Sequence, residues 1–414
     1  MTRHVRVGAP LVAGFVLAFL AAAAFGATRS AAPPAGPMIR VGVAVAADGP
    51  LQVGSATGLR ILDAQTNALL LTSAGSADLV VAREGEDVRV SPSSGPALAV
   101  AVAVRFEPAG DAPITLDAIP YRGAIEVFGV EERGLNAVNS LPLEDYLLGV
   151  VPIEIGPRGE DELAAVAAQA VAARTYAVAH LRAREEMGFD VFGSVEDQAY
   201  GGVAAERPES TRAVRETAGQ ILMYGGLPIR AMYHSTCGGR TSPVEEVLDR
   251  APARYLRSVS DRAPNGTDYC AASPRYRWVD TLRATDLNGR VREQIVRIFG
   301  TTAAHTGDIV DLRVSRRTPS GRVEALAVRG TRSEFVLERL DIRIALQNEA
   351  GRILGSTDFE VVTAPDGSIE LHGRGFGHGS GMCQWGAIGR ARAGQEWQTI
   401  LATYYPGAEL VSVY

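Results

Sequence analysis

Cysteine is scarce in this chain: Cys237, Cys270 and Cys383 are the only three among 414 residues. An odd number this small allows one disulfide and a spare thiol, and excludes a dense disulfide framework. An excess of positive charge is also missing. The net charge is -6, which argues against a nucleic-acid partner, because such domains usually present a basic face. It also disfavours tight binding to a polyanion and leaves a neutral or mixed-charge polymer allowed. No apolar run beyond about residue 25 is long enough to span a bilayer, and no internal repeat is visible. What is present is 46% hydrophobic and 21% charged residues, the composition of a globular protein large enough for more than one domain.

The first residues carry a compartment signal. Arg3, His4 and Arg6 precede an uncharged apolar run from Ala9 to Phe25. Small residues follow at Ala24, Gly26 and Ala27, then a Ser/Ala/Pro-rich stretch to Pro37. This is the pattern of a secretory signal over residues 1–27 with a linker over 28–38. The protein is expected to be exported, to the periplasm or the cell wall. The run is nearly long enough to remain as a membrane anchor, so cleavage and retention both stay open.

Residues 39–135 read as a β-rich N-terminal module without a titratable cluster. Arg40–Val45 and Leu98–Val104 are short apolar runs bounded by Gly, Asp, Ser and Pro turns. The texture changes near Leu141, and the expected fold class is α+β, with an α+β catalytic domain over 136–414. Leu141–Leu147 opens a short helix, and Val150–Ile155 is apolar apart from Glu154. A long helix is expected from Asp161 to Glu186, with Arg174 inside its apolar stripe. A cation at a core-facing position needs a partner, and Glu154 and Asp145 are the nearest candidates along the chain. A further helix is expected over Glu209–Gly219, then a hairpin over Gln220–Tyr233, and an Ala-rich helix from about Trp385.

Three features can carry chemistry. Glu154 lies between Ile153 and Ile155, and an apolar surround raises a carboxyl pKa toward the range of a general acid. Single glutamates are more often plain surface residues. In His372–Gln384, glycine alternates with His372, Arg374, Phe376, His378 and Ser380. Such glycine density suits close backbone approach to a ligand or positive φ angles, though the context of a dinucleotide fingerprint is absent. His234 and Cys237 have metal-ligand spacing, and Cys270 and Cys383 complete a set of four. A Cys237–Cys270 disulfide, a zinc site and three unbonded thiols remain as alternatives.

Together these segments resemble the stage II sporulation protein D family, also described as the amidase-enhancer family. The resemblance runs from about Leu141 to Leu410. It rests on Leu141–Leu147, Val151–Ile155 and Ala168–Tyr176; on Tyr233–Thr236 with Gly238–Gly239; and on Gly373–Met382 with Gln384, Gly386, Ala387 and Tyr404–Gly407. Ile155, Cys237 and Cys383 depart from the residues expected there. The resemblance implies a lytic transglycosylase acting on peptidoglycan glycan strands stripped of stem peptides, with Glu154 as catalytic acid. It implies that the His234 turn and the Gly/His loop converge on Glu154. Gln169, Arg174, Tyr176, Tyr200, His234, Ser235, Thr236, His378 and Gln384 are then the candidate substrate-binding residues. His234, Cys237, Cys270 and Cys383 are the candidate zinc ligands, zinc being associated with this fold in some members. A hydrolase using Glu144 or Asp145 as a second carboxylate is one rival. Another is a non-catalytic glycan-binding module that activates a cell-wall amidase.

Overall fold

The computed structural model describes residues 36–130, 134–300 and 305–414. The leader expected over 1–27 and most of the linker lie outside the described residues. The composition is 26% helix and 36% strand, the α+β class expected.

The N-terminal part is built from two sheets that share one core. The larger has the spatial order Val191–Phe192, Met38–Ala47, Leu135–Pro142, Ala124–Gly129, Ala103–Pro108, Gly58–Asp63 and Leu69–Ala74. The smaller runs Ile119–Tyr121, Ile114–Leu116, Leu51–Ser55, Ala77–Glu84, Asp87–Pro92 and Ala99–Ala101. Alternation fixes which faces meet. In Ala103–Pro108, Val104 and Phe106 are fully buried, while Arg105 points the other way and pairs with Glu107 and Glu126. The run Leu98–Val104 is not one strand. It divides at the exposed Val102 into Ala99–Ala101 and Ala103–Pro108, which belong to different sheets.

Strand Leu135–Pro142 joins this part to the rest, and the boundary expected at residue 135 falls at its start. It pairs with Met38–Ala47 on one side and Ala124–Gly129 on the other, and it is buried nearly throughout. Its polar residues are satisfied: Asn139 donates to the carbonyls of Arg122 and Ala124 and accepts from the Tyr200 hydroxyl. The core then runs on without a break into the helices. These are α1 (Leu143–Ile155), α2 (Leu163–Ala179), α3 (Pro208–Glu216), α5 (Gln384–Arg392) and α6 (Trp397–Tyr404), whereas α4 (Arg292–Phe299) packs in a separate core. Helix α1 is continuous through Pro152, although proline there gives up the backbone bond to the Leu148 carbonyl. Helix α2 is shorter than expected. A 3-10 turn precedes it at Glu160–Glu162, and it stops before His180, where the chain folds back through Arg182 and Gly188, both with positive φ.

Residues 277–374 hold a second core that sequence texture did not separate. Arg277–Leu282, Ile369–Arg374 and Phe359–Thr363 form one antiparallel sheet, and Ile309–Arg317, Val323–Gly330 and Glu334–Glu338 another. With α4 they enclose Leu282, Ile295, Leu326, Leu337, Phe359 and Leu371. Arg322, at the start of this module's central strand, is buried. It reaches across to donate to the Ser242 hydroxyl at 2.8 Å and the Cys237 carbonyl at 3.3 Å.

Arg174 is the most constrained side chain in the helical part. It is 0% exposed, and α2 is buried on all sides rather than along one stripe. Its partner is neither Glu154 nor Asp145 but Glu144, one position earlier. Nε and Nη2 of Arg174 donate to the two Glu144 oxygens at 2.7 and 2.8 Å. The remaining donors reach the Val214 and Gln220 carbonyls and the Thr217 hydroxyl. Glu144 also accepts from the Gly219 amide and the Tyr414 hydroxyl. One ion pair therefore joins α1, α2, the end of α3 and the final residue. Removing one partner of a buried pair strands the other. Arg174→Ala should cost about 3–5 kcal/mol in urea unfolding at neutral pH, whereas Arg212→Ala, at an exposed pair on α3, should change stability by less than about 1 kcal/mol.

Candidate active site

Glu154 sits in the last turn of α1, which ends at Gly156 (φ 75°). Its carboxyl is half-buried and lies beside the exposed Ile153. One oxygen accepts from the Ala199 amide at 2.9 Å, and the Tyr233 hydroxyl and Gln384 amide lie beside the group and favour its charged form. Desolvation outweighs these donors, so the carboxyl is held above the usual glutamate range. Its position near a helix C-terminus, where the partial charge is negative, acts in the same direction.

A directed hydrogen-bond chain stands behind it. The Tyr146 hydroxyl donates to Gln198 Oε1 at 3.3 Å, and Gln198 Nε2 donates to the Tyr233 oxygen at 2.9 Å. With its lone pair so engaged, Tyr233 has its proton free for Glu154. On the other side Gln384, the first residue of α5, donates through Nε2 to the Glu154 carbonyl at 2.9 Å and to Gln169 Oε1 at 3.3 Å. Gln169 is fully buried, and its Nε2 has no partner among the described residues. The loop carrying Ala199 is anchored by Asp197, which accepts from the Tyr176 hydroxyl, from Arg184 and from the Phe192 amide.

The expected convergence is present. Tyr233–His234 pairs in parallel with Met382–Cys383, which brings the His234 turn and the Gly/His loop together and aims Gln384 at Glu154. Of the sequence candidates, Gln384 bonds to Glu154 directly, Gln169 acts through Gln384, and Tyr176 acts through Asp197. Several others are corrected. Arg174 is enclosed in its pair with Glu144. The Tyr200 hydroxyl is spent on Asn139. Thr236 is buried against the Ser273 hydroxyl, and the Ser235 hydroxyl lies on Thr236 at 3.3 Å. His378 has both nitrogens committed: Nε2 donates to the Tyr233 carbonyl and Nδ1 accepts from the Ser380 amide. Burial pushes its pKa down to about 4, so it is neutral and fixes the Tyr233 backbone. The glycines serve packing rather than ligand approach. A Cβ on Gly381 would lie 1.9 Å from the Met232 carbonyl, and one on Gly379 would lie 2.3 Å from the Arg322 guanidinium. Gln198, Tyr146 and Tyr233 were missed as site residues. Tyr146 and Tyr233 lie inside the quoted motifs, and Gln198 had no signal of its own.

The three cysteines are buried together and unbonded, with Cys237 and Cys270 sulfurs 3.7 Å apart. The disulfide alternative is therefore not the one found. His234 is not part of the group: its Nδ1 donates to the Ser380 carbonyl. The fourth member is Asp261, and the four ligand atoms lie within 4.8 Å of one another. Backbone amides point at the sulfurs. Cys237 and Gly386 donate to Cys383 Sγ at 3.1 and 3.2 Å, and Gly239 donates to Cys237 Sγ at 3.4 Å. Amides aimed at sulfur stabilise thiolates, so the donor set fits a thiophilic cation such as zinc. Asp261 is braced by the Tyr404 hydroxyl at 2.6 Å and the Cys270 amide at 3.1 Å.

Residues 131–224, which include Glu154, match the model of a family described as stage II sporulation protein. Residues 265–381 match a model described as a domain of unknown function. A Bacillus subtilis protein named stage II sporulation protein D is 30% identical over 323 residues, spanning 74% of this chain and 84% of the relative. An uncharacterised Brachyspira hyodysenteriae protein is 31% identical over 298 residues, 72% of this chain and 74% of its own length. A B. subtilis protein named amidase enhancer is 29% identical over 293 residues, 64% of this chain but 40% of that protein.

Glu154→Gln keeps the shape and an acceptor for the Ala199 amide while removing the charge. A raised folded-state pKa means the native protein holds the proton more tightly than the unfolded chain. Its stabilising contribution is full below the ordinary glutamate pKa of about 4.3 and is lost as pH rises through the raised value. The variant should match the wild type in urea midpoint near pH 4 and exceed it at neutral pH. An equal midpoint at both values would contradict the assigned direction of the shift.

Proposed function

Because the chain belongs to the stage II sporulation protein D family, we propose that it is a peptidoglycan lytic transglycosylase with Glu154 as its single acid and base. Membership supports the broader role, cell-wall remodelling. The finer assignment rests on one observation, the isolation of Glu154 from any free second carboxylate on its helix. Asp145 is nine residues back along α1, about 13 Å at 1.5 Å per residue, and Glu144 is further and held by Arg174. Paired-carboxylate glycosidases need separations of about 5–9.5 Å. Asp197, in the neighbouring loop, has a side chain 2% exposed and is occupied by Arg184 and Tyr176.

In this mechanism the protonated Glu154 gives its proton to the glycosidic oxygen between N-acetylmuramic acid and N-acetylglucosamine. The bond to the anomeric carbon breaks and leaves an oxocarbenium-like centre. The carboxylate then takes the proton from the C6 hydroxyl of the same sugar as that oxygen closes on the anomeric carbon. The product is a 1,6-anhydro sugar, and no water enters. Tyr233 and the Ala199 amide hold the carboxylate in place between the two transfers. Gln169 and Gln384 fix the end of α1 from below. The Ile153 flank is open to solvent, as a polymer lying across the surface requires.

The cluster Cys237, Cys270, Cys383 and Asp261 would hold a structural zinc ion, because its side chains join the segment after His234, the Asp261–Cys270 loop and the start of α5. Bound zinc would supply cross-linking there. The protein acts outside the cytoplasm in this reading, on the strength of the leader over residues 1–27, with stripped glycan strands as substrate.

Glu154→Gln should lower cleavage of stripped glycan strands by at least about 100-fold, the scale of general acid catalysis, with strand binding unchanged in a pull-down. Cleavage at the wild-type rate would refute Glu154 as the acid. Failure of both forms to cleave while both stimulate a wall amidase would favour the activator reading. Metal analysis of purified protein should find one zinc per chain, and Cys383→Ser should lose it; a metal-free wild type with unchanged resistance to chelator would exclude the zinc site.

A further inference from the structure

We propose that this protein has a second polymer-binding site, separate from Glu154, that takes the carboxylate of an acidic sugar unit. The site is a cavity of about 590 Å³ where the 277–374 module meets the catalytic core, a size suited to a small ligand. Its walls carry Arg240, Arg262, Arg277 and Arg374 against Asp268 and Asp358. Four positive and two negative side chains leave an excess of two positive charges, in a chain whose net charge is -6. A concave, locally positive wall on an acidic protein concentrates anions.

The internal pairing of these groups leaves arginines available. Arg374 and Asp358 neutralise each other at 3.0 Å. Asp268 accepts from the Tyr276 hydroxyl at 2.5 Å. Arg277 donates only to the neutral oxygens of Tyr276, and Arg240 makes one long contact, 3.4 Å, to the Ser258 hydroxyl. The exposed Arg262 guanidinium makes no hydrogen bond or ion pair among the described residues. Every basic side chain of the protein other than histidine is arginine, with no lysine in the chain. The planar guanidinium matches a carboxylate with two parallel hydrogen bonds. The polar residues Ser260, Thr267 and Ser320 also line the cavity, which suits a sugar better than an apolar ligand.

The position selects the class of ligand. The cavity begins at Gly238, five residues after Tyr233, which contacts Glu154. Five residues span at most about 17 Å, so one polymer chain can occupy both places. On the glycan reading above, which this inference rests on, the strand alternates N-acetylglucosamine with N-acetylmuramic acid. Only the latter carries a carboxyl group, on its lactyl arm, and it is free where the stem peptide has been removed. The cavity would thereby read the muramic units and set the register of the strand over Glu154.

The test uses the full chain carrying Glu154→Gln, so that strands are bound and not consumed. Affinity is measured for soluble stripped strands and for the same strands after chemical reduction of the lactyl carboxyl to an alcohol. The expected result is binding about 10–100-fold weaker after reduction, the scale of a charge-assisted hydrogen-bond pair. Adding Arg262→Gln and Arg277→Gln should weaken binding of the unreduced strands to the same level and leave the reduced strands unaffected, which also controls for folding. Equal affinity for both strand forms would overturn carboxylate recognition and leave the glycan reading standing. Equal weakening of both forms by the arginine variants would likewise overturn it. Binding of neither form would remove the glycan reading and this proposal together.

Discussion

Arg174 is a cation without solvent, and everything near it is arranged to hold that charge. Glu144 gives it two oxygens, three other acceptors take its remaining donors, and Tyr414 and the Gly219 amide complete the coordination of Glu144. A buried pair of this kind adds little net stability compared with apolar residues of the same volume. What it supplies is registry. Helix α1 cannot slide or rotate against α2 without separating the charges, so the far end of α1, where Glu154 lies, is fixed relative to α2 and α5. The same contact draws in the last residue of the chain.

Two glutamates of one helix thus acquire opposite characters from their surroundings. Glu144 faces a guanidinium and stays a structural anion. Glu154 faces uncharged donors and the negative end of its own helix, and its proton is held more tightly than usual. Had Arg174 paired with Glu154 instead, the carboxyl pKa would have been driven down and the group lost as an acid. The separation of charge along α1 is what allows one fold to place a stability device and a proton donor on the same element.

Much of this was legible in the sequence. The apolar setting of Glu154, the anomalous cation in an apolar helix and the glycine-dense loop all stood out as local patterns. The partner of Arg174 did not, because periodicity reports a face and cannot choose between Glu144, Asp145 and Glu154. Gln198 was invisible for a similar reason: it lies in an irregular loop and matters only through long-range contacts to Tyr146 and Tyr233. The role of the glycines was misread, since a Cβ clash with Met232 or Arg322 depends on chain segments far away. Asp261 replaced His234 beside the cysteines because spacing along the chain does not predict which side chains a loop turns inward. The 277–374 module, with its own core, follows turn residues (Pro264–Gly266 and Pro274) no different from those of the other loops, so nothing in the texture marks it off, and Arg322 ties it to the segment after His234.

In the proposed mechanism one carboxyl group, with no activated water, cleaves the strand. Digestion of stripped glycan strands in water enriched in oxygen-18, followed by mass spectrometry of the products, tests it directly. Transglycosylation predicts products one water lighter than hydrolytic fragments and free of the heavy isotope, ending in 1,6-anhydro sugars. Reducing ends that carry oxygen-18 would contradict it and require a second group to activate water beside Glu154.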